Sequence, residues 1–266
     1  MSHPLDMIHP AFTLEAYREL LTTVLETRTV ITLSDWFDAP HAAWRRLILR
    51  HDVDFLPALT LPMARVEADL GIRSTWFVGI HLSYNAIHPP QAEVLKTLLT
   101  MDHEIGFHYD ASVYDHLAPS DQRAHILSDI GLLERAIGQP IRSIAMHNPS
   151  SSESPDPFLQ GLPLHNAYDS VLMRQASYAS DSCRAWRPQG LACCLDPEIP
   201  LSYLLVHPEL WTERPIPNWL DFLAHLQSLM ADDSFSERAT VESLWKNHPA
   251  RDDHDARLLA TPSHRD

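Results

Sequence analysis

The sequence predicts an α/β fold built around a parallel sheet. Two observations lead there. Short apolar runs alternate with segments whose apolar residues recur at helical spacing. Five of the extended runs also end in Asp or His, at the carboxyl ends where parallel α/β folds carry their working side chains. The 266 residues suffice for one barrel-sized domain with a substantial core, and neither an internal repeat nor a clean linker divides them.

Thr13 can cap a helix reaching Arg28, with Leu14, Tyr17, Leu20, Leu21, Val24 and Leu25 on its spacing. The β-branched run Thr29 to Thr32 follows, then a turn at Ser34-Asp35 around Trp36 and Phe37. Arg46 to Arg50 reads as a buried strand, and Pro57 to Leu70 as a helix stopped by Gly71. Ser74 to Val78 is a strand, Pro90 to Met101 a helix with proline near its start, and Glu104 to Phe107 a short strand. Ser120 to Ile137 is a long amphipathic helix closed by Gly138, and Ile141 to Met146 a strand. The Pro- and Ser-rich stretch from Asn148 to Pro163 reads as a loop. Strands are expected at Ser170–Met173, Ser177–Ala179 and Tyr203–Val206, and a helix from Asn218 to Met230. Residues 1–231 form the expected domain; the polar stretch 232–266 is expected to be a peripheral or partly disordered tail.

Composition narrows the function classes. Twenty Lys and Arg against 35 Asp and Glu leave a net charge of −15, so the global field repels nucleic acid and anionic membrane surfaces. No apolar stretch is long enough to span a bilayer. The opening MSHPLDMIHP carries neither a basic n-region nor an apolar h-region, and the expected location is the cytoplasm. Cys183, Cys193 and Cys194 lack C-x-x-C spacing and read as reduced thiols. With 17 His in the chain, no single histidine is informative by itself.

The strand ends are informative together. Arg46–Arg50 runs into His51-Asp52-Val53-Asp54, Glu104–Phe107 into His108-Tyr109-Asp110, and Ile141–Met146 into His147-Asn148-Pro149. Ser177–Ala179 leads to Asp181, and Tyr203–Val206 to His207-Pro208. Such residues suit metal binding and acid–base work, and parallel topology would gather them at one rim. Asp52 and Asp54 are two apart in an extended segment and face one side together. Two carboxylates that close raise one another's pKa unless a cation lies between them; a metal on one leaves the other free as a base. His103-Glu104-x-x-x-His108 has the wrong spacing for a helical metalloprotease motif, so His108 is the expected ligand and His103 a structural hydrogen-bonding residue. The loop Asp181-Ser182-Cys183-Arg184-Ala185-Trp186-Arg187 offers an acid, an aromatic face and cations.

Taken in order, these residues resemble the NodB-type polysaccharide deacetylases. Leu49-Arg50-His51-Asp52-Val53-Asp54, the helix end Glu67-Ala68-Asp69-Leu70-Gly71-Ile72 and Arg73-Ser74-Thr75-Trp76-Phe77 resemble that family's opening. His103-Glu104-Ile105-Gly106-Phe107-His108 resembles its second motif; Asp181 with Trp186, and Leu205-Val206-His207-Pro208, resemble its fourth and fifth. The likeness runs from about Phe12 to Trp211 and is greatest to the branch of bacterial surface-polysaccharide and O-antigen clusters that includes the WbmS-like proteins. It implies a distorted (β/α)7 NodB-like barrel and a metal-dependent N-deacetylase of an N-acetylated sugar. It also implies Asp52 as general base, Asp54 and His108 as metal ligands, and His207 as general acid supported by Asp181.

Two departures stand out. Ser112 occupies the position of the family's second metal histidine, and His147-Asn148-Pro149 stands where an Arg-Pro pair is usual. His147 is therefore expected to be the third metal ligand, ahead of Asp110 and then His116. The expected ion is Zn²⁺, with Co²⁺, Ni²⁺ or Mn²⁺ as alternatives. Trp186 and Trp211 are expected to stack on the sugar and Arg187 to meet an anionic substituent. The rival readings are a carbohydrate-binding pseudoenzyme and a hydrolase of another amide, N-formyl or cyclic. Neither the sugar nor the oligomeric state is legible.

Overall fold

A computed structural model describes residues 11–40, 45–149, 159, 161–186 and 190–229. It divides into two compact units, Met1–Pro215 and Ile216–Asp266. The boundary expected at 231/232, and the tail beyond it, lie outside the described residues.

The first unit is the predicted parallel barrel, opened along one side. Eight strands, β1 (Thr29–Ile31), β2 (Arg46–Asp52), β3 (Thr75–Val78), β4 (Glu104–Tyr109), β5 (Ser143–Met146), β6 (His165–Asn166), β7 (Ser177–Ser180) and β8 (Leu201–Val206), form one sheet. The path runs β6-β5-β4-β3-β2-β8-β7, with every pair parallel, so seven strands make a distorted (β/α)7-type barrel. The short β1 joins the edge of β2 at Arg46–Ile48, and β3 takes over the same edge from Arg50 to Asp52. β2 is therefore buried along its whole length, and the carboxyl-terminal end that carries Asp52 is clamped between β3 and β8.

Helices α1 (Leu14–Leu25), α3 (Thr60–Asp69), α4 (Pro89–Thr100) and α5 (Pro119–Ile137) follow the expected periodicity. Tyr17, Leu20, Leu21 and Val24 bury one face of α1. Each such side chain contributes roughly 1.5–3 kcal/mol on burial, more than the roughly 1 kcal/mol of a Thr13-type cap. Gly138 ends α5 with φ +77°, a conformation that costs a side-chain-bearing residue strain.

Two elements differ from expectation. The turn at Ser34-Asp35 is a helix, α2 (Leu33–Asp38), because Thr32 and Asp35 close a reciprocal capping box. The strand expected at Ser170–Met173 is a helix, α6 (Ser170–Gln175), because the Asp169 carboxylate accepts from the backbone N–H groups of Val171 and Leu172. The short β6 and α7 (Ala192–Leu195) were not anticipated.

Strand parity sorts β2. Ile48 lies in a core cluster with Phe77, Ala145 and Tyr203. Arg50 and Asp52 share its parity, whereas His51 points to the opposite side, toward α1 and α3. There the buried Glu67 carboxylate accepts from Tyr17 Oη at 2.5 Å and from Ser74 Oγ, with His51 Nε2 at 2.7 Å. The His51 ring stacks on Trp76 at 3.6 Å. His103 takes the structural role expected of it, receiving the Ser74 N–H at Nδ1.

In the second unit, Asn218 precedes a helix over 219–229; its carbonyl side chain accepts the N–H of Asp221 at 3.0 Å. Among the described residues no helix is long and apolar enough to cross a membrane.

Candidate active site

The carboxyl ends of β2, β4, β5, β7 and β8 meet at one cavity of about 750 Å³, within the range of small-ligand pockets. Asp52, Asp54, His108, His147 and His207 line it, together with Tyr168, Tyr178 and Trp186. Five residues spread over more than 150 positions of sequence are thus gathered by strand order alone.

Asp54, His108 and His147 each present one potential ligand atom, and these atoms lie within 4.8 Å of one another. His108 Nε2 is 3.2 Å and His147 Nδ1 3.1 Å from Asp54 Oδ1. The His108 tautomer follows from its other nitrogen. Nδ1 lies 3.0 Å from the Ala145 carbonyl, which can only accept, so Nδ1 carries a hydrogen and Nε2 is the nitrogen that faces Asp54 and would take a metal in place of a proton. A lone pair facing a carboxylate is repulsive unless a proton or a cation lies between them. The Asn148 amide nitrogen lies 3.1 Å from His147 Nε2 and donates to it, so His147 Nδ1 carries the hydrogen that meets Asp54, the hydrogen a bound metal would displace. One carboxylate and two imidazoles at the ends of three strands are a donor set that suits a divalent transition metal with open positions. Burial raises the Asp54 carboxyl, but hydrogen bonds from His108 and His147 and the charges of His108 and His207 outweigh it and hold it well below the usual carboxylate range.

The alternatives for the third ligand lie elsewhere. Asp110 accepts from the backbone N–H and hydroxyl of Ser112 at 2.9 and 2.7 Å, capping the 3₁₀ turn Ala111–Val113. His116 is exposed. Among the described residues, the cluster with converging ligand atoms is Asp54, His108 and His147.

Asp52 occupies the end of β2, nearly fully buried, with its Oδ2 3.7 Å from His108 Nε2. Both of its oxygens accept from Arg50, each at 2.7 Å. Across the cavity, His207 Nδ1 donates to Asp181 Oδ1 at 2.6 Å, while Asp181 Oδ2 accepts the His207 N–H at 3.0 Å and Trp211 Nε1 at 2.9 Å. His207 Nε2 turns toward the cluster, 3.9 Å from Asp54 Oδ2. Burial disfavours a charged His207, but the Asp181 charge and hydrogen bond, with Glu209 and Asp52 adding, push its pKa up to about 10. Glu209 itself is raised to about 8, chiefly by burial.

Trp186 lines the cavity and stacks parallel to Phe12. Trp211 does not line it. Its ring is buried behind Asp181, so the expected sugar-stacking role is replaced by a contact with the acid dyad. Arg187 lies outside the described residues. Sequence reasoning missed Arg50, Tyr168 and Tyr178. Arg50 had a signal: it shares the parity of Asp52 and Asp54 in one strand. The tyrosines had none, because they flank a segment read with the wrong secondary structure.

No family model matches the chain, and no curated protein does. Among solved structures it is similar to a CE4-family pseudoenzyme from Bacillus anthracis, at 14% identity and TM-score 0.42, over 70% of this chain and 60% of that one. It is similar also to a chitin deacetylase from the fungal pathogen Colletotrichum lindemuthianum, at 13% identity and TM-score 0.42, over 68% and 81% of the two chains. A third is a Streptococcus pyogenes deacetylase in complex with acetate, at 12% identity and TM-score 0.41, over 55% and 68%. The chain spans about 60% of the length of the first of these. Likenesses this distant carry no weight on chemistry, which rests on the side-chain geometry above.

Proposed function

We propose that this chain is a metal-dependent hydrolase that removes the N-acetyl group from an amino sugar. The observation that carries the reading is the arrangement in one cavity: an Asp-His-His cluster between a separate carboxylate, Asp52, and a histidine–aspartate dyad, His207–Asp181. A simple cation-binding site needs the first only. Amide hydrolysis needs all three, because a water must lose a proton and an amine must gain one.

Asp54, His108 and His147 would hold the ion. A bound divalent metal, most simply zinc, supplies a water acidified to a pKa of about 7 and a positive charge for the developing oxyanion. Asp52 takes the proton as water attacks the acetamide carbonyl. His207, protonated at neutral pH, gives its proton to the departing sugar nitrogen. Asp181 keeps the imidazolium oriented and balances its charge, and Trp211 fixes Asp181 from behind. Tyr168, Tyr178 and Trp186 offer aromatic wall to the sugar face. The motif resemblance favours, as substrate, an amino sugar of a surface polysaccharide such as lipopolysaccharide, or a precursor of it.

The test is acetate release from free, nucleotide-linked and oligomeric N-acetyl amino sugars, with N-formyl analogues beside them. Wild type releases acetate, and Asp52→Asn retains one metal per chain but loses most turnover. Near-wild-type turnover by Asp52→Asn contradicts the base assignment. Formate release alone moves the reaction to another amide, and metal binding with no release from any substrate makes the chain a binding protein.

A further inference from the structure

The Asp52 carboxylate is held by a residue of its own strand. The Arg50 guanidinium is completely buried, and its Nε and Nη2 reach the two oxygens of Asp52 as a planar fork. The guanidinium makes two further hydrogen bonds. Nη2 also donates to Tyr168 Oη at 3.0 Å, and Nη1 to Tyr203 Oη at 3.3 Å, while Tyr203 Oη donates to the Ala167 carbonyl. The cation lies 4.5 Å from the Tyr168 ring centroid and 5.0 Å from that of Phe77. β2, β3, β8 and the segment after β6 all contribute to this cage.

We propose that Arg50 is a positioning residue, set in place by Tyr168 and Tyr203, that fixes the direction in which Asp52 offers its free lone pairs to the cavity. Stability alone does not account for the pair, since apolar residues of similar volume replace buried ion pairs at little or no cost. What an apolar replacement lacks is a fork that occupies one lone pair on each oxygen and leaves the others aimed at the cavity. The inference rests on the reading of Asp52 as the base. Tyr168 lines the cavity as well as holding Arg50, so one wall of the substrate pocket is continuous with the support of the base.

The test compares Arg50→Met with Arg50→Lys, each examined as a metal-loaded crystal and by acetate release from N-acetylglucosamine oligomers. In Arg50→Met the Asp52 side chain is expected to leave its position while Asp54, His108 and His147 keep theirs. The kcat should fall about 100-fold, the scale of a 1 Å misplacement, with KM within about twofold. Arg50→Lys, which can hold one oxygen, should recover part of the loss. Adding Arg50→Lys to Asp52→Asn should cost nothing further. An Asp52 that stays in place without Arg50, a loss confined to KM, or a full additional loss in the Asp52→Asn background overturns the proposal. If Arg50→Met does not fold, Arg50→Lys decides on the same criteria. A wild-type chain that releases no acetate contradicts the deacetylase reading, and the crystallographic displacement of Asp52 still decides the role of Arg50.

Discussion

Replacing Asp181 by asparagine removes the charge that keeps His207 protonated while preserving the size of the side chain. Asp181 is fully buried and accepts from three donors: the His207 ring, the His207 backbone and the Trp211 indole. With it in place the His207 pKa stands at about 10; without it, burial is offset only by the charges of Glu209 and Asp52 and the value falls toward the usual 6.5. A general acid works in its protonated form, so activity is lost as pH rises through that pKa. The alkaline limb of kcat therefore moves from about 10 in the wild type toward 6.5 in Asp181→Asn. At pH 7.5 the protonated fraction drops from nearly all to about one in ten, a tenfold loss of kcat, and at pH 8.5 to about one in a hundred. At pH 5.5 the two proteins should differ far less. The amide also turns an N–H toward one of the three donors, so a destabilisation of about 1–3 kcal/mol accompanies the change and melting curves must accompany the rates. The assay is acetate release against pH at saturating substrate. An alkaline limb that does not move, with the variant folded, refutes the acid assignment.

Two further outcomes follow from the geometry. His147→Ala should reduce the bound metal from about one equivalent to far less after dialysis, while Asp110→Ala and His116→Ala leave it unchanged; elemental analysis of the three variants checks this. Glu67→Gln should destabilise the fold by about 1–3 kcal/mol, measured by denaturant melts at pH 7, because the amide turns an N–H toward one of the donors that Tyr17, Ser74 and His51 aim at the carboxylate in a closed interior. Burial raises the Glu67 carboxyl, but His51 and the hydrogen bonds around it hold it below 4.5, so its contribution is complete at neutral pH and is lost as pH falls below that of a free glutamate. The stability of the wild type should therefore decline more steeply below pH 4.5 than that of Glu67→Gln.

The part of the site legible in sequence was the part written at strand ends. An apolar run followed by Asp or His declares itself, and Asp52, Asp54, His108, His147 and His207 were all found that way. In sequence the motif departures alone favour His147 over Asp110; the contacts that bear on the preference, such as the turn that occupies Asp110, are not written there. Val171-Leu172-Met173 illustrates the commonest ambiguity. A three-residue apolar run fits a buried strand or one turn of helix equally, and here the Asp169 cap decides. Trp211 reads as a sugar platform because exposed tryptophans often are; its burial behind Asp181 is a fact of tertiary packing. The Tyr17–Glu67–His51–Ser74 network joins α1, α3, β2 and the residue before β3, and no local pattern announces a contact spread so widely along the chain.

The central claim is that the rims of β2, β4 and β5 together form a metal centre. A crystal structure of the zinc-loaded protein, with the ion identified by anomalous scattering, tests it most directly. The account predicts one ion bonded to Asp54, His108 and His147, with solvent at the remaining position and Asp52 beside it. An ion held instead through Asp110 or His116, or a cavity that stays free of metal at saturating zinc, would contradict it.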